Sequence, residues 1–188
     1  MILALALAVT VSAAPIDTLD LRHAEEMILH RQRISHSPET PDQTRHQIRQ
    51  TAKACEAIGG EQARELFLLY GAMASIESEW SFVSHDSGIG WGPIALQNFE
   101  VFAAAVRCGV KCDTETQRKA VWQRFHVDRD FCIWLSVRHL DRLVAEAQGV
   151  VLQGIQRHNP KARHYAGDIV VRHAIMWLEY PPLVMSLR

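Results

Sequence analysis

Residues Leu66 to Gln97, LFLLYGAMASIESEWSFVSHDSGIGWGPIALQ, contain the clearest helical pattern of the chain. The apolar run at the start of this stretch ends at Glu77 and Ser78, and a loop rich in glycine, serine and tryptophan follows. A carboxyl group at the end of a buried helix keeps its proton more readily when its neighbours are apolar, as a general acid requires. The pattern therefore predicts Glu77 to be an acid catalyst.

Helical periodicity extends in both directions from this stretch. Apolar residues cover most of the circumference between Glu61 and Glu79, which is typical of a central buried helix. Lasting alternation of apolar and polar residues is absent from the whole sequence, so the class is all-α. Further helical patterns cover 16–33, 41–58, 95–106, 114–149, 150–158 and 162–178.

Length and charge limit the classes of protein that this chain can belong to. A chain of 188 residues predicts one main domain with its own core. Its 20 lysines and arginines nearly balance 21 aspartates and glutamates, which leaves a net charge of −1. Such a balance provides no field that attracts nucleic acid or an anionic membrane, and we expect no nucleic acid as a partner.

The N-terminus predicts export. Residues 2–14 carry no charge, and the small residues Val11 and Ala13 precede a potential cleavage before Ala14, which is typical of a signal peptide over 1–13. A buried or interfacial helix is the alternative, because a membrane span needs about 20 apolar residues. We expect localisation in the periplasm or cell envelope, a helical extension over 14–60, a main domain over 61–180 and a tail over 181–188.

Four cysteines, Cys55, Cys108, Cys112 and Cys132, predict two disulfides in an exported protein. Three connectivities are possible. We favour Cys108–Cys112, because the intervening Gly109 permits a tight loop, together with Cys55–Cys132. A zinc site built from the last three cysteines and His126 is an alternative with weak spacing, and reduced core thiols are another.

Several motifs resemble the lytic transglycosylase (goose-type lysozyme-like) family. That family places a catalytic glutamate followed by a serine at the end of a buried helix, as at Glu77-Ser78, and lines its sugar groove with a Gly-Leu-Met-Gln stretch. Here the stretch is altered to GPIALQ over 92–97. Arg157-His158-Asn159-Pro160 stands where a Tyr-Asn pair is usual, so His158 replaces the tyrosine. The similarity spans Ala63 to Trp177.

The resemblance implies a lysozyme-like helical domain with a substrate groove beside the buried central helix. It also implies cleavage of the β-1,4 bond between N-acetylmuramic acid and N-acetylglucosamine in peptidoglycan, with 1,6-anhydro ends as products. Glu77 would act alone, first as general acid and then as base. We expect Met73, Ile76 and Trp80 to form its apolar pocket. Expected substrate-binding residues are Ser78, Trp91, Gln97, Asn159 and Tyr165, and Trp80 is a further candidate for stacking on sugars.

Other assignments remain open. Glu79 competes with Glu77 for the acid role. A hydrolase would need a second carboxylate, for which Asp86 and Glu100 are the candidates. A catalytically silent relative that binds glycan or a partner protein is a further alternative.

The remaining expectations concern ligands and partners. The histidines lack the spacing of a metal enzyme; the five from the second half of the chain are His126, His139, His158, His164 and His173. We therefore expect no metal and no cofactor. We expect a monomer that acts on peptidoglycan strands, in the service of a secretion, conjugation or phage apparatus.

Overall fold

Helices dominate the protein, and the all-α prediction is confirmed. The computed structural model describes residues 16, 18–35, 37–58, 63–85 and 90–179. The predicted signal peptide (1–13) and tail (181–188) lie outside these residues. The helices within the described ranges are α1 (Thr18–Ser35), α2 (Pro41–Glu56), α3 (Ala63–Glu77), α4 (Asn98–Arg107), α5 (Glu115–Val127), α6 (Arg129–Glu146), α7 (Val151–His158) and α8 (Tyr165–Glu179).

The chain between α3 and α4 forms a small sheet that the sequence pattern did not reveal. Strands β1 (Ser84–His85), β2 (Gly90–Trp91) and β3 (Leu96–Gln97) pair antiparallel in the order β1-β2-β3. Each strand has two residues, which is too short for an alternating pattern to be recognised. The last strand leads directly into α4, and its final residue, Gln97, is the residue before this helix.

Polar residues at the helix starts explain several boundaries. The Thr40 hydroxyl accepts a hydrogen bond from the Gln43 backbone N–H, and Thr114 caps α5 in the same way through Gln117. The predicted helical stretch 114–149 is two helices. Asp128 separates them, because its carboxylate caps the first turn of α6 by accepting from the Phe131 N–H at 3.0 Å.

Helix α3 is the central element, as its apolar circumference predicted. Phe67, Tyr70 and Met73 are almost fully buried, and the helix packs against α2, α6 and α8. It ends in a turn that reverses the chain. Within this turn the Trp80 backbone N–H donates to the Ala74 carbonyl at 3.0 Å, and the Trp80 indole is buried against α3.

Helices α1 and α2 belong to the same core as the rest of the protein. Ile28 of α1 and Ile48 of α2 form one continuous apolar cluster with Leu140 of α6 and Ile169 of α8. The extension predicted for 14–60 therefore shares its buried surface with the segment after it. No helix in the described ranges has the length and apolarity needed to cross a membrane.

The four cysteines are free thiols, so neither expected disulfide is formed in this structure. Cys55 and Cys132 are fully buried in the core, and burial raises the pKa of both thiols. Cys132 packs against Gly92, where an added Cβ would lie only 2.7 Å from its sulfur. Sequence spacing gave no information on the direction of these side chains, which is what decides disulfide geometry.

The contact between α6 and α7 requires a glycine, which provides a test of the packing. A Cβ at Gly154 would lie 2.7 Å from the Val144 Cγ2 and from its backbone N. We expect Gly154→Ala to lower the free energy of unfolding by about 1–3 kcal/mol, because the helices must move apart. Gly167 in α8 has nothing within 4 Å of its Cβ position, so Gly167→Ala should raise stability by about 1 kcal/mol.

Urea unfolding followed by circular dichroism measures both variants against the wild type. We expect the two substitutions to change the free energy of unfolding in opposite directions. A Gly154→Ala protein as stable as Gly167→Ala would show that α6 and α7 do not approach this closely.

Candidate active site

A groove of about 700 Å³ lies beside the C-terminal end of α3. This volume falls within the range of small-molecule sites, which is about 300–1,000 Å³. Four parts of the chain form its walls: the end of α3, the start of α4, the middle of α6 and the segment that ends α7. The lining residues are Glu77, Ala95, Gln97, Phe99, Glu100, Ala103, His139, Arg142, Leu143, Arg157, His158, Asn159, Pro160 and Lys161.

Glu77 is the last residue of α3 and projects into this groove, partly buried. The Tyr165 hydroxyl, from the first turn of α8, donates a hydrogen bond to Glu77 Oε1 at 2.6 Å. Burial raises the pKa of Tyr165, and the neighbouring Glu77 carboxylate raises it further. The phenol is therefore protonated at neutral pH and remains a donor. The structure thus brings together two predicted site residues that are 88 positions apart in the sequence.

The apolar pocket expected around Glu77 is wrong. Met73 and Trp80 are buried in the core, Ile76 is 40% exposed, and none of these side chains lines the groove. Nine of the fourteen lining residues are polar or charged instead. Three of them, Arg142, Arg157 and Lys161, are cationic, and we call these three residues the cationic wall. A cationic wall attracts anionic substituents on a ligand.

Glu100 is a second carboxylate in the same groove. Its side chain is only 11% exposed, and burial raises its pKa. One oxygen, Oε2, accepts from the Gln97 backbone N–H at 2.8 Å and so closes the first turn of α4. The other oxygen, Oε1, faces two histidines. Asp86, the other candidate for a second carboxylate, lies outside the described residues.

The two histidines beside Glu100 are His139 of α6 and His158 of α7. His139 Nε2 lies 3.4 Å from Glu100 Oε1 and 3.4 Å from His158 Nδ1. Burial lowers the pKa of His139 to about 2 and that of His158 to about 4, so both rings are neutral at pH 7. Arg142 Nη2 lies 3.4 Å from His139 Nδ1.

Sequence reasoning missed this cluster because its members are far apart in the chain. Only part of it could have been found. His139 lies four residues after Leu135 and four before Leu143, and both leucines are buried. That spacing places His139 on the inner face of α6. No comparable pattern connects it to Glu100 or His158.

The other predicted binding residues divide into two groups. Gln97 and Asn159 line the groove, whereas Ser78 and Trp91 are not among its lining residues. The Ser78 hydroxyl donates to the Pro93 carbonyl at 2.9 Å, which ties the end of α3 to the loop. The Trp91 ring stacks on His126 with their centroids 4.5 Å apart.

Two further candidates also lie away from the groove lining. Trp80 is 1% exposed, and its Nε1–H faces the Gly71 carbonyl at 3.1 Å, so its role is in the core. Glu79 follows Glu77 by two residues, and its backbone carbonyl accepts a hydrogen bond from Gln32 at 3.0 Å. Its side chain does not line the groove.

Comparisons with models of protein families, with curated proteins and with solved structures gave no match to this chain. The resemblance to lytic transglycosylases therefore stays a prediction from the motifs.

The buried histidine pair predicts a pH-dependent stability. An unfolded histidine has a pKa of about 6.5, so below this pH the unfolded chain binds more protons than the folded chain. Stability is then lost as the pH falls from about 6.5 toward the folded pKa of about 4 for His158. In metal-free buffer we expect His158→Gln to remove about 1–2 kcal/mol of the stability loss that the wild type shows between pH 7 and pH 5.

Urea unfolding at the two pH values measures this difference. Glu100 acts in the opposite sense, because its raised pKa favours the folded state as the pH falls, so the variant must be compared directly with the wild type. His164→Gln, at an exposed histidine, is the matched control. An equal pH dependence in wild type and His158→Gln would mean that His158 is not buried in its neutral form.

Proposed function

We propose that this protein is a peptidoglycan lytic transglycosylase in which Glu77 is the general acid and base. The observation that supports this most directly is the position of Glu77: a carboxyl group in a groove of about 700 Å³, hydrogen-bonded by the buried phenol of Tyr165. The groove also contains Gln97 and Asn159, which carry amide groups suited to sugar hydroxyl and N-acetyl groups.

In the proposed reaction Glu77 gives a proton to the glycosidic oxygen while the bond from that oxygen to the muramyl C1 breaks. The muramyl 6-hydroxyl then attacks C1. Glu77, now ionised, takes the hydroxyl proton and returns to its starting state. One C–O bond breaks and another forms within the sugar, so the product is a 1,6-anhydro ring and no water is consumed.

Tyr165 would hold the Glu77 carboxyl in one orientation through this cycle. Its hydroxyl donates to Oε1, which leaves Oε2 free to face the scissile bond. Because the pKa of Tyr165 is raised by burial, the phenol does not lose its proton to the carboxylate. A carboxyl group held in one orientation lowers the reaction barrier more than a mobile one in water, because the site does not have to reorganise during the reaction.

The cationic wall supports an acidic glycan as substrate. The lactyl group of N-acetylmuramic acid ends in a carboxylate where no stem peptide is attached, and an attached stem peptide carries carboxylates of its own. Arg157 in the last turn of α7 and Lys161 in the segment after it line the groove, whereas Arg142 is paired with Glu146 at 3.1 Å. Localised charge in the groove would compensate for the absence of net positive charge on the whole chain.

Export to the envelope and service to a larger wall-spanning apparatus belong to the same proposal. Both rest on the N-terminal sequence and on the family resemblance.

Glu77→Gln is the decisive variant. The substitution keeps the shape of the side chain and removes its acid–base function, so we expect muropeptide release to fall by roughly 10²–10⁴-fold with the fold intact. Mass spectrometry of products from purified peptidoglycan measures the release, and the wild type should give anhydro-muramyl ends. Circular dichroism and thermal melting check the fold.

Glu79→Gln is the matched control, because it changes the same residue type two positions on, outside the groove lining. We expect wild-type activity from it. Full activity in Glu77→Gln would overturn the mechanism. A wild-type protein that binds peptidoglycan without cleaving it would instead favour the silent relative.

The position of Glu100 favours one alternative, a hydrolase that uses two carboxylates. Glu100 shares the groove with Glu77, and its raised pKa makes it a plausible proton donor in its own right. Glu100→Gln separates the two mechanisms, because glutamine can still accept the hydrogen bond from the Gln97 N–H. The transglycosylase proposal expects this variant to keep producing anhydro ends.

Reducing ends from the wild type, together with loss of activity in Glu100→Gln, would favour the hydrolase. The same mass spectra show the type of product end and the amount of product released, so no separate assay is needed.

A further inference from the structure

We propose that Glu100, His139 and His158 form a binding site for a divalent transition-metal ion, with Zn²⁺ as the ion that fits best. This inference goes beyond the proposed function and does not depend on it. Within the described ranges, these residues are the one group of three or more potential ligands close enough to share an ion.

The spacing of the three donor atoms suits a small ion. His139 Nε2 lies 3.4 Å from both His158 Nδ1 and Glu100 Oε1, and the last two atoms are 3.9 Å apart. A point equally distant from the three atoms lies about 2.1 Å from each, which is the length of a zinc–nitrogen or zinc–carboxylate bond. The donor atoms would therefore need little movement to bind an ion.

Contacts behind the donor atoms already fix two of the three ligands. Glu100 Oε2 is held by the Gln97 N–H, which leaves Oε1 for the ion. Burial lowers the pKa of His158, and a hydrogen bond to the Ile94 backbone partly opposes this, as a ring N–H that donates to a carbonyl does. Because Nδ1 is the nitrogen that faces His139 and Glu100, we assign this proton to Nε2, which leaves the lone pair of Nδ1 for the ion. Metal-ligating histidines in proteins usually have such a carbonyl partner on their second nitrogen.

The site has the composition of an open zinc centre. Two imidazoles and one carboxylate supply three ligands, and the groove beside them leaves room for a fourth from water or a bound molecule. Both histidine ligands are almost completely buried, and this burial limits their movement. His139 is 1% exposed, and the side chain of His158 is 6% exposed.

Arg142 disfavours binding of the ion, so it should lower the affinity of the site for the metal. A guanidinium only donates, so its Nη2 at 3.4 Å from His139 Nδ1 favours the tautomer with the proton on Nε2. Binding requires the proton to move to Nδ1 and Arg142 to withdraw. The bond from Arg142 Nη1 to Glu146 Oε1, at 3.1 Å, gives the guanidinium another partner. Arg142→Gln supplies an acceptor for the Nδ1 proton and removes a positive charge, so it should tighten binding.

The experiment is a titration of the full chain with Co²⁺, followed by its visible absorption and then by displacement with Zn²⁺. We expect one ion per chain and no near-ultraviolet band from a thiolate ligand. Glu100→Gln, His139→Gln and His158→Gln should each weaken binding at least tenfold. Arg142→Gln should strengthen it several-fold. Zn²⁺ should raise the melting temperature of the wild type but not that of Glu100→Gln.

His126→Gln and Cys112→Ser are the controls, because both residues are potential ligands outside the cluster. We expect wild-type affinity from both. A thiolate band, or binding that survives Glu100→Gln and His158→Gln unchanged, would overturn the proposal, as would no binding by the wild type. If His139→Gln fails to fold, the other two variants decide the question. Since no glycan is used, the result is separate from that for peptidoglycan cleavage.

Discussion

The burial of one indole ring determines where the central helix ends. Glu79 and Trp80 both have left-handed backbones, with φ values of 50° and 63°. For residues other than glycine this conformation costs about 1–3 kcal/mol each. The Trp80 ring offsets the cost by packing into the core and donating to the Gly71 carbonyl and Ser75 hydroxyl. The helix therefore stops at Glu77, and the carboxyl of that residue faces the groove rather than the next turn of helix.

The groove is a product of tertiary packing more than of any single motif. The end of α3 supplies Glu77, the start of α4 supplies Glu100, and α6 and α7 supply the two histidines. Each group depends on a contact made elsewhere. Tyr165 of α8 orients Glu77, whereas the backbone at Gln97 orients Glu100. Two carboxyl groups in one groove thus have different partners, which is how similar side chains acquire different chemistry.

Local patterns in the sequence predicted the features that depend on neighbouring residues. The buried face of α3, the start of α5 near position 114 and the end of the helix near Glu77 all follow from spacing over a few positions. The family resemblance gave Tyr165 as a substrate-binding residue, but its hydrogen bond to Glu77 depends on packing between helices that the sequence pattern does not describe. Features that need distances were mistaken or missed: the disulfides, the apolar pocket and the histidine cluster. Burial of His139 could be read from its helix, but the approach of His158 could not.

Among the helix starts that the structure describes, those of α2, α4 and α5 are closed by a side chain at the third position, and Glu100 of α4 differs from the other two. In α2 and α5 that position holds glutamine, since Gln43 and Gln117 accept from the backbone N–H groups of Thr40 and Thr114. An amide oxygen is sufficient for this task. In α4 the same position holds a carboxylate, although burial there disfavours a charge. A neutral glutamine could therefore close the start of α4 as well, although the N-terminal end of a helix also favours a carboxylate. A relative with glutamine at position 100 would keep the closed start of α4 and lose one of the two carboxyl groups in the groove.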